Sequence, residues 1–141
     1  MITADDVFRA AILGVPGVSD VIGTGLSAFN GFAPSSAYPC AQYMRTSSAN
    51  PHAMDAPDSV IDARYDLLFY ATVRADAWRA ADAASSALNG WHGVVTVGDD
   101  SADVYGMFMR DAAEIPVVTE DGQEVGDFAV RQQWRMWVKL N

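Results

Sequence analysis

Apolar and polar residues alternate without a break from residue 62 to residue 74. Ala63, Tyr65, Leu67, Phe69, Ala71 and Val73 share one face, and Asp62, Arg64, Asp66, Leu68, Tyr70, Thr72 and Arg74 share the other. A strand has a side-chain period of two, so the first set is expected in a core and the second is polar at its ends. The period then lengthens. From Asp76, read as an N-cap, to a stop at Asn89-Gly90, the chain is alanine-rich, and Trp78, Ala81, Ala84 or Ser85, and Leu88 recur at helical spacing. The unit over residues 62–90 is large enough that the other elements are expected to pack on it.

Around this unit the pattern is shorter-ranged. Thr3 is placed to cap a first helix whose stripe is Val7, Phe8, Ala11 and Ile12, with Asp5 and Asp6 in its first turn and Pro16-Gly17 as its stop. Residues 18–36 hold the apolar pieces Val21-Ile22 and 26–29 between glycines, Asn30 and Pro34, which reads as a short strand inside a loop. Residues 38–47 read as a strand entered through Pro39, which has no amide to donate. Residues 47–59 have no period and form a loop of the length that a compact domain keeps for function or leaves mobile. Strands follow at 91–97 and at 104–110, where Tyr105, Met107 and Met109 are expected on one face; residues 115–118 extend the latter or follow a bulge near Pro116. Asp121-Gly122 signals a hairpin. The last strand carries Phe128, Val130, Gln132, Trp134, Met136, Val138 and Leu140 on one face, with Ala129, Arg131, Gln133, Arg135, Trp137 and Lys139 on the other. The order predicts one α+β domain over residues 1–141: a largely antiparallel β-sheet with an N-terminal helix and a central helix packed on it.

Composition narrows the classes of function. The chain has 141 residues, half of them apolar and 19% charged, enough for a real core and without an apolar run long enough to span a membrane. Asp5 and Asp6 stand where a secretion signal needs a basic start, so synthesis inside the cell is expected. The single cysteine, Cys40, has no partner for an internal disulfide and reads as a reduced, half-buried filler. Eighteen acids against nine bases give a net charge of −9. That opposes binding to phosphate backbones unless the bases gather on one face, and along the sequence they are scattered. DNA sliding past without sticking is compatible with this charge.

Little in the sequence signals catalysis. His52 and His92 are the only histidines, and neither has a cysteine, serine or carboxylate at a catalytic spacing; an exposed or strand-end role outweighs that of a general base. Asp99, Asp100 and Asp103 lack the ligand series of a calcium loop and read as solvated acids of a turn. Gly23-Thr24-Gly25 and Val15-Pro16-Gly17 lack the context and the lysine of a phosphate cradle. No cofactor or metal is expected, and the chain is read as non-enzymatic. The aromatic residues carry more information. Trp134 and Trp137 point to opposite faces of one strand, and Leu68 and Tyr70 lie opposite the core face of another. Both faces therefore need cover, from the same chain or from another subunit. Leu68, Tyr70, Arg135 and Trp137 are the candidate inter-subunit contacts.

The ordering resembles the tail-terminator, or tail-completion, family of long-tailed bacteriophages. The residues that carry the resemblance are the turn at 29–34 (Phe-Asn-Gly-Phe-Ala-Pro), Tyr38-Pro39-Cys40, the 47–59 loop, the strand at 65–71, the helix at 78–90 and the closing strand at 128–140. It covers nearly the whole chain through order and spacing rather than through a catalytic signature. Cys40 departs from it, since the family often has an aromatic after that proline, and residues 93–118 do not align clearly. The resemblance implies a virion subunit made in the bacterial host cytoplasm. It implies a homo-oligomeric ring, typically a hexamer, at the head-proximal end of the tail, which stops the tail tube and joins it to the neck. Its implied partners are its own copies, the tail tube protein and a neck or head-completion protein, with DNA passing through unbound and no membrane involved. Asn50, Pro51, His52 and Met54 in the 47–59 loop are the candidate contacts to the tube or neck. Another neck or head-tail joining protein is the nearest alternative; a small-molecule-binding module or enzyme of α+β fold is a more distant one.

Overall fold

A computed structural model describes residues 2–23, 25–28, 38–49, 60–118 and 124–141, without the side chains of 27, 28, 49, 118 and 124–126. In chain order the elements are α1 (Ala4–Leu13), α2 (Pro16–Ile22), β1 (Leu26–Ala28), β2 (Cys40–Ala49), β3 (Ile61–Ala71), α3 (Arg74–Leu88), β4 (Gly93–Val97), β5 (Asp100–Val118) and β6 (Glu124–Leu140). They form one six-stranded sheet in the order β1-β2-β3-β6-β5-β4. Only the three-residue β1 runs parallel to its neighbour; every other pair is antiparallel. The fold class is α+β, as the alternation of periods predicts.

The two long alternating stretches become the centre of the sheet. Tyr65, Leu67 and Phe69 of β3 lie opposite Trp134, Gln132 and Val130 of β6, and all six are essentially inaccessible to solvent. Three helices cover this face. Thr3 caps α1 through a reciprocal box: its hydroxyl accepts from the Asp6 amide at 3.2 Å, and Asp6 Oδ2 accepts from the Thr3 amide at 3.0 Å. The Phe8 ring stacks on Tyr65 with centroids 4.1 Å apart. Asp5 Oδ1 accepts from the Tyr65 hydroxyl at 2.8 Å and from Arg45 Nε at 2.7 Å, tying the first turn of α1 to β2 and β3. Burial and the nearby Asp5 carboxylate raise the Tyr65 phenol above the usual tyrosine value.

On α3 the inward residues are Ala77, Ala80, Ala81, Ala84 and Leu88, so backbone approaches backbone closely. Gln132, buried on β6, fills the remaining polar need. Its Nε2 donates to the Ala81 carbonyl at 2.7 Å, and its Oε1 accepts from Trp134 Nε1 at 2.9 Å.

Several sequence expectations change. Pro16 and Gly17 do not end a helix; Pro16 opens α2, because proline at the first helical position lacks only an amide that would be unpaired there. Val21-Ile22 accordingly lies in a helix and not in a strand piece. Gly17 lets α2 meet α3: a Cβ there would lie 2.7 Å from the Ala83 Cβ. Asp76 is not the cap of α3. Val73 takes that position without a side-chain cap, and Asp76, in the first turn, accepts from Arg79 Nη1 at 3.0 Å. Val73 is 53% exposed and takes no place in the core. β2 continues through residues 48 and 49, beyond the strand expected at 38–47 and into the stretch expected to be loop.

Residues 100–118 form one strand whose register shifts near Tyr105, Arg110 and Val117. The first shift turns Tyr105 outward while Met107 stays fully buried, which separates two residues expected on one face. β4 and β5 meet through a two-residue loop, Gly98-Asp99, in which Gly98 takes a φ of +61° that a side chain disfavours. The hairpin expected at Asp121-Gly122 and the turn at 29–34 lie outside the described residues. Among the described residues, no helix is long and apolar enough to cross a membrane.

Candidate interface on the open sheet face

The side chains that alternate with the core set emerge on the face away from the helices. Pairing across β2, β3, β6 and β5 arranges them in rows. Ser47, Arg64, Arg135 and Phe108 make one row, and Asp62, Trp137 and Gly106 the next; on the other side follow Met44, Asp66, Gln133 and Asp111, and then Gln42, Leu68, Arg131 and Ala113.

One end of this face is closed by the chain itself. Cys40, Leu68, Tyr70, Val117 and Ala129 form a small second core against which Tyr38 and Ile115 pack. Tyr38 stacks on Tyr70 at 5.4 Å. Burial, with the neighbouring Tyr70 adding to it, pushes the Tyr38 phenol up to about 12, and burial pushes the Cys40 thiol up to about 11. Leu68 and Tyr70, two of the four expected inter-subunit contacts, are therefore covered within the chain, at 7% and 6% exposure.

The other two expected contacts lie together and accessible. Arg135 donates to Asp62 through Nε at 2.9 Å and Nη2 at 2.7 Å, a parallel two-bond geometry. Its guanidinium carbon lies 4.9 Å from the centroid of the Trp137 ring. Phe108 meets Trp137 edge-on, with centroids 6.4 Å apart at 75°. Gly106 makes this possible, because a Cβ there would come within 2.6 Å of the Phe108 ring. Phe108 is 45% exposed and Trp137 40%. The hydrogen bond from Arg135 holds the Asp62 carboxyl below the usual carboxylate range, against the effect of burial, and the charges of Arg135 and Arg64 and a hydrogen bond from Trp137 act in the same direction as that bond.

Beside this cluster runs a groove of about 590 Å³ lined by Thr46, Ser47, Arg64, Asp66, Phe108, Arg110, Gln133 and Arg135. The bases that look scattered in sequence converge here. Arg64, Arg110, Arg131, Arg135 and Lys139, five of the nine, lie on this one face, interleaved with Asp62, Asp66, Asp103 and Asp111. Neither Arg64 nor Arg110 has an ion-pair partner among the described residues. Sequence reasoning passed over Phe108, Arg64 and Arg110. The alternation of Phe108 with Met107 was a signal for the first, but only cross-strand register brings the arginines to it.

Among the described residues, the remaining candidates form no second site. Asn50, Pro51, His52 and Met54 lie outside the described residues. His92, Asp99 and Asp103 line neither this groove nor the cleft of about 400 Å³ between α1, α3 and β4, whose walls, including Ala11, Leu88, Trp91 and Val95, carry no ionisable side chain. Among the described residues, no group of three or more His, Cys, Asp or Glu side chains is placed to hold a metal. Exposed tryptophan, phenylalanine and arginine around a groove are the residue types that carry binding energy in protein interfaces.

These features define an α+β sheet subunit with one face under helices and an open face bearing aromatic and arginine side chains. No protein-family model matches the chain, and no curated protein matches it. Among solved structures, the chain is similar to one described as "Virion of native gene transfer agent (GTA) particle", with a TM-score of 0.59 and 15% identity over 99% of each chain. At that identity the likeness is one of fold.

Proposed function

We propose that this protein is a structural virion component, and more specifically a phage tail terminator that assembles as a ring on the head-proximal end of the tail tube, stops its growth and joins it to the neck. The observation that carries this reading is the end-to-end fold likeness to a chain of a phage-like virion particle, with neither chain leaving a domain unmatched. The order of elements that resembles the tail-terminator family supports it from the sequence side. The open-face cluster of Asp62, Arg135, Trp137 and Phe108 supplies a surface suited to a neighbouring subunit. A ring needs contact between two unlike patches, and this subunit has two unlike faces. Asn50, Pro51, His52 and Met54 are proposed, on their sequence alone, to touch the tube or neck.

The second reading in the same class is another head-tail joining protein, which the fold likeness accommodates equally. Co-sedimentation separates them. A terminator pellets with assembled tail tubes and not with head connectors, a neck protein does the reverse, and a chain that pellets with neither contradicts both readings. Fold by itself does not choose between them.

A further inference from the structure

We propose that the groove on the open face receives the acidic β4–β5 turn of a second copy of this chain. The inference rests on the ring reading above and names the two surfaces that would meet. Its first support is charge. In a chain of net charge −9, Arg64, Arg110 and Arg135 gather in one groove, and only Arg135 is paired in an ion bridge, with Asp62. The complement lies at the β4 edge of the sheet. Asp99, Asp100 and Asp103 lie within the turn and the first residues of β5, and the base that faces them from β6 is Lys139, opposite Asp103. Asp99 stands exposed at the tip of the two-residue loop and has no ion-pair partner among the described residues.

Apolar groups flank both charged patches. Phe108 borders the groove with Trp137 packed against it, while Val94, 63% exposed, pairs with Asp103 on the turn side, and Tyr105, 52% exposed, lies two residues beyond Asp103. Matching charge with exposed aromatic and aliphatic neighbours suits a specific contact better than charge alone. Shape agrees, since a tight turn at the end of an edge strand is narrow enough to enter a groove between side chains. The turn cannot reach the groove of its own chain. Asp100, next to Asp99, and Arg110 lie at opposite ends of a run of β5 that spans roughly 30 Å at the usual strand rise. The contact is therefore between copies and between unlike surfaces, and such a contact repeats until it closes as a ring or continues as a filament. A phosphate backbone is the competing occupant of the same arginines. The groove is lined by three arginines and one carboxylate, Asp66, a balance that suits the few acids of a single turn better than a continuous row of phosphates.

Charge reversal tests the pairing. The full chain is compared by sedimentation velocity at low and high salt as wild type, Arg110→Glu, Asp99→Arg and the double variant; both positions are exposed, and circular dichroism checks each fold. Arg64→Glu serves as a second groove variant. The expected result is self-association that weakens with salt, falls by about tenfold or more in each single variant and recovers in the double variant. Wild type that stays monomeric both alone and with assembled tail tubes, single variants that associate like wild type, or a double variant no better than the singles would overturn the proposal. So would binding of a DNA duplex through Arg110 in place of self-association. Tube binding is read in parallel. Tube binding without self-association overturns this inference alone, and self-association without tube binding overturns the terminator reading alone.

Discussion

Asp62 on β3 and Arg135 on β6 meet on the diagonal, one row apart, and share two parallel hydrogen bonds of 2.9 and 2.7 Å, with the guanidinium held against the Trp137 ring. The pair fixes the arginine-aromatic arrangement of the open face. Its pH dependence has a definite sign. The Asp62 carboxyl is depressed in the folded state, so its contribution is present above the unfolded carboxylate value of about 3.9 and is lost as pH falls through the lower folded value. Asp62→Asn is expected to be less stable than wild type at neutral pH, and the gap is expected to close in acid. Urea denaturation of both proteins from neutral pH to about pH 3 checks this; a gap independent of pH would contradict it.

Gly17 is the point at which α2 meets α3. Gly17→Ala brings a methyl to within 2.7 Å of Ala83 Cβ, and neither side chain has a rotamer through which to escape. The helices must separate, at an expected cost of about 1–3 kcal/mol. Adding Ala83→Gly should recover part of that loss, and a double-mutant cycle by chemical denaturation measures how much. Additive losses would show that the two residues do not meet.

Gln132 is the polar link between α3 and the centre of the sheet. Gln132→Leu leaves the buried Trp134 indole N–H without its acceptor, an expected loss of about 1–3 kcal/mol. Gln132→Glu places a carboxylate against the Ala81 carbonyl that the amide now bonds, so it should be more harmful at neutral pH than in acid, where the carboxyl is protonated. Thermal unfolding of both variants at two pH values tests the assignment of the two atoms of the amide.

The buried tyrosines predict an alkaline limit. Burial raises Tyr65, Tyr70, Tyr43 and Tyr38, the last to about 12, and raises Cys40 to about 11. A group raised in the folded state contributes stability that is complete below its unfolded value and is lost as pH rises through its folded value. Stability should therefore decline above about pH 10, the unfolded tyrosine value. The appearance of tyrosinate absorbance should coincide with unfolding. Smooth tyrosine titration of a chain that stays folded would contradict the burial of these rings.

What the sequence revealed follows from how local each signal was. β3 and β6 were legible because a period of two runs through most of each, although Leu68, Tyr70 and Trp137 are apolar on the outer face and Gln132 is polar on the buried one. α1 was legible from its cap and stripe. α2 was not, since Pro16-Gly17 carries the same letters whether it ends one helix or begins another. Tyr105 was assigned to the wrong face because a bulge adds one residue on β5 that no pattern within that strand announces. For the candidate interface, Arg135 and Trp137 could be picked out as outward residues of the last strand. Leu68 and Tyr70 looked identical in pattern, yet Cys40, Val117 and Ala129 cover them from segments distant in sequence. The gathering of Arg64, Arg110 and Arg135 is a property of strand order alone, and no spacing along the chain encodes it.

The proposed function is that of a ring that ends a tail tube. Light scattering of the purified protein, alone and then with assembled tail tubes, tests it most directly. The account predicts a mass near six subunits, or a monomer that becomes a ring once tubes are added. A monomer indifferent to tubes, or a ring that does not bind them, would contradict it.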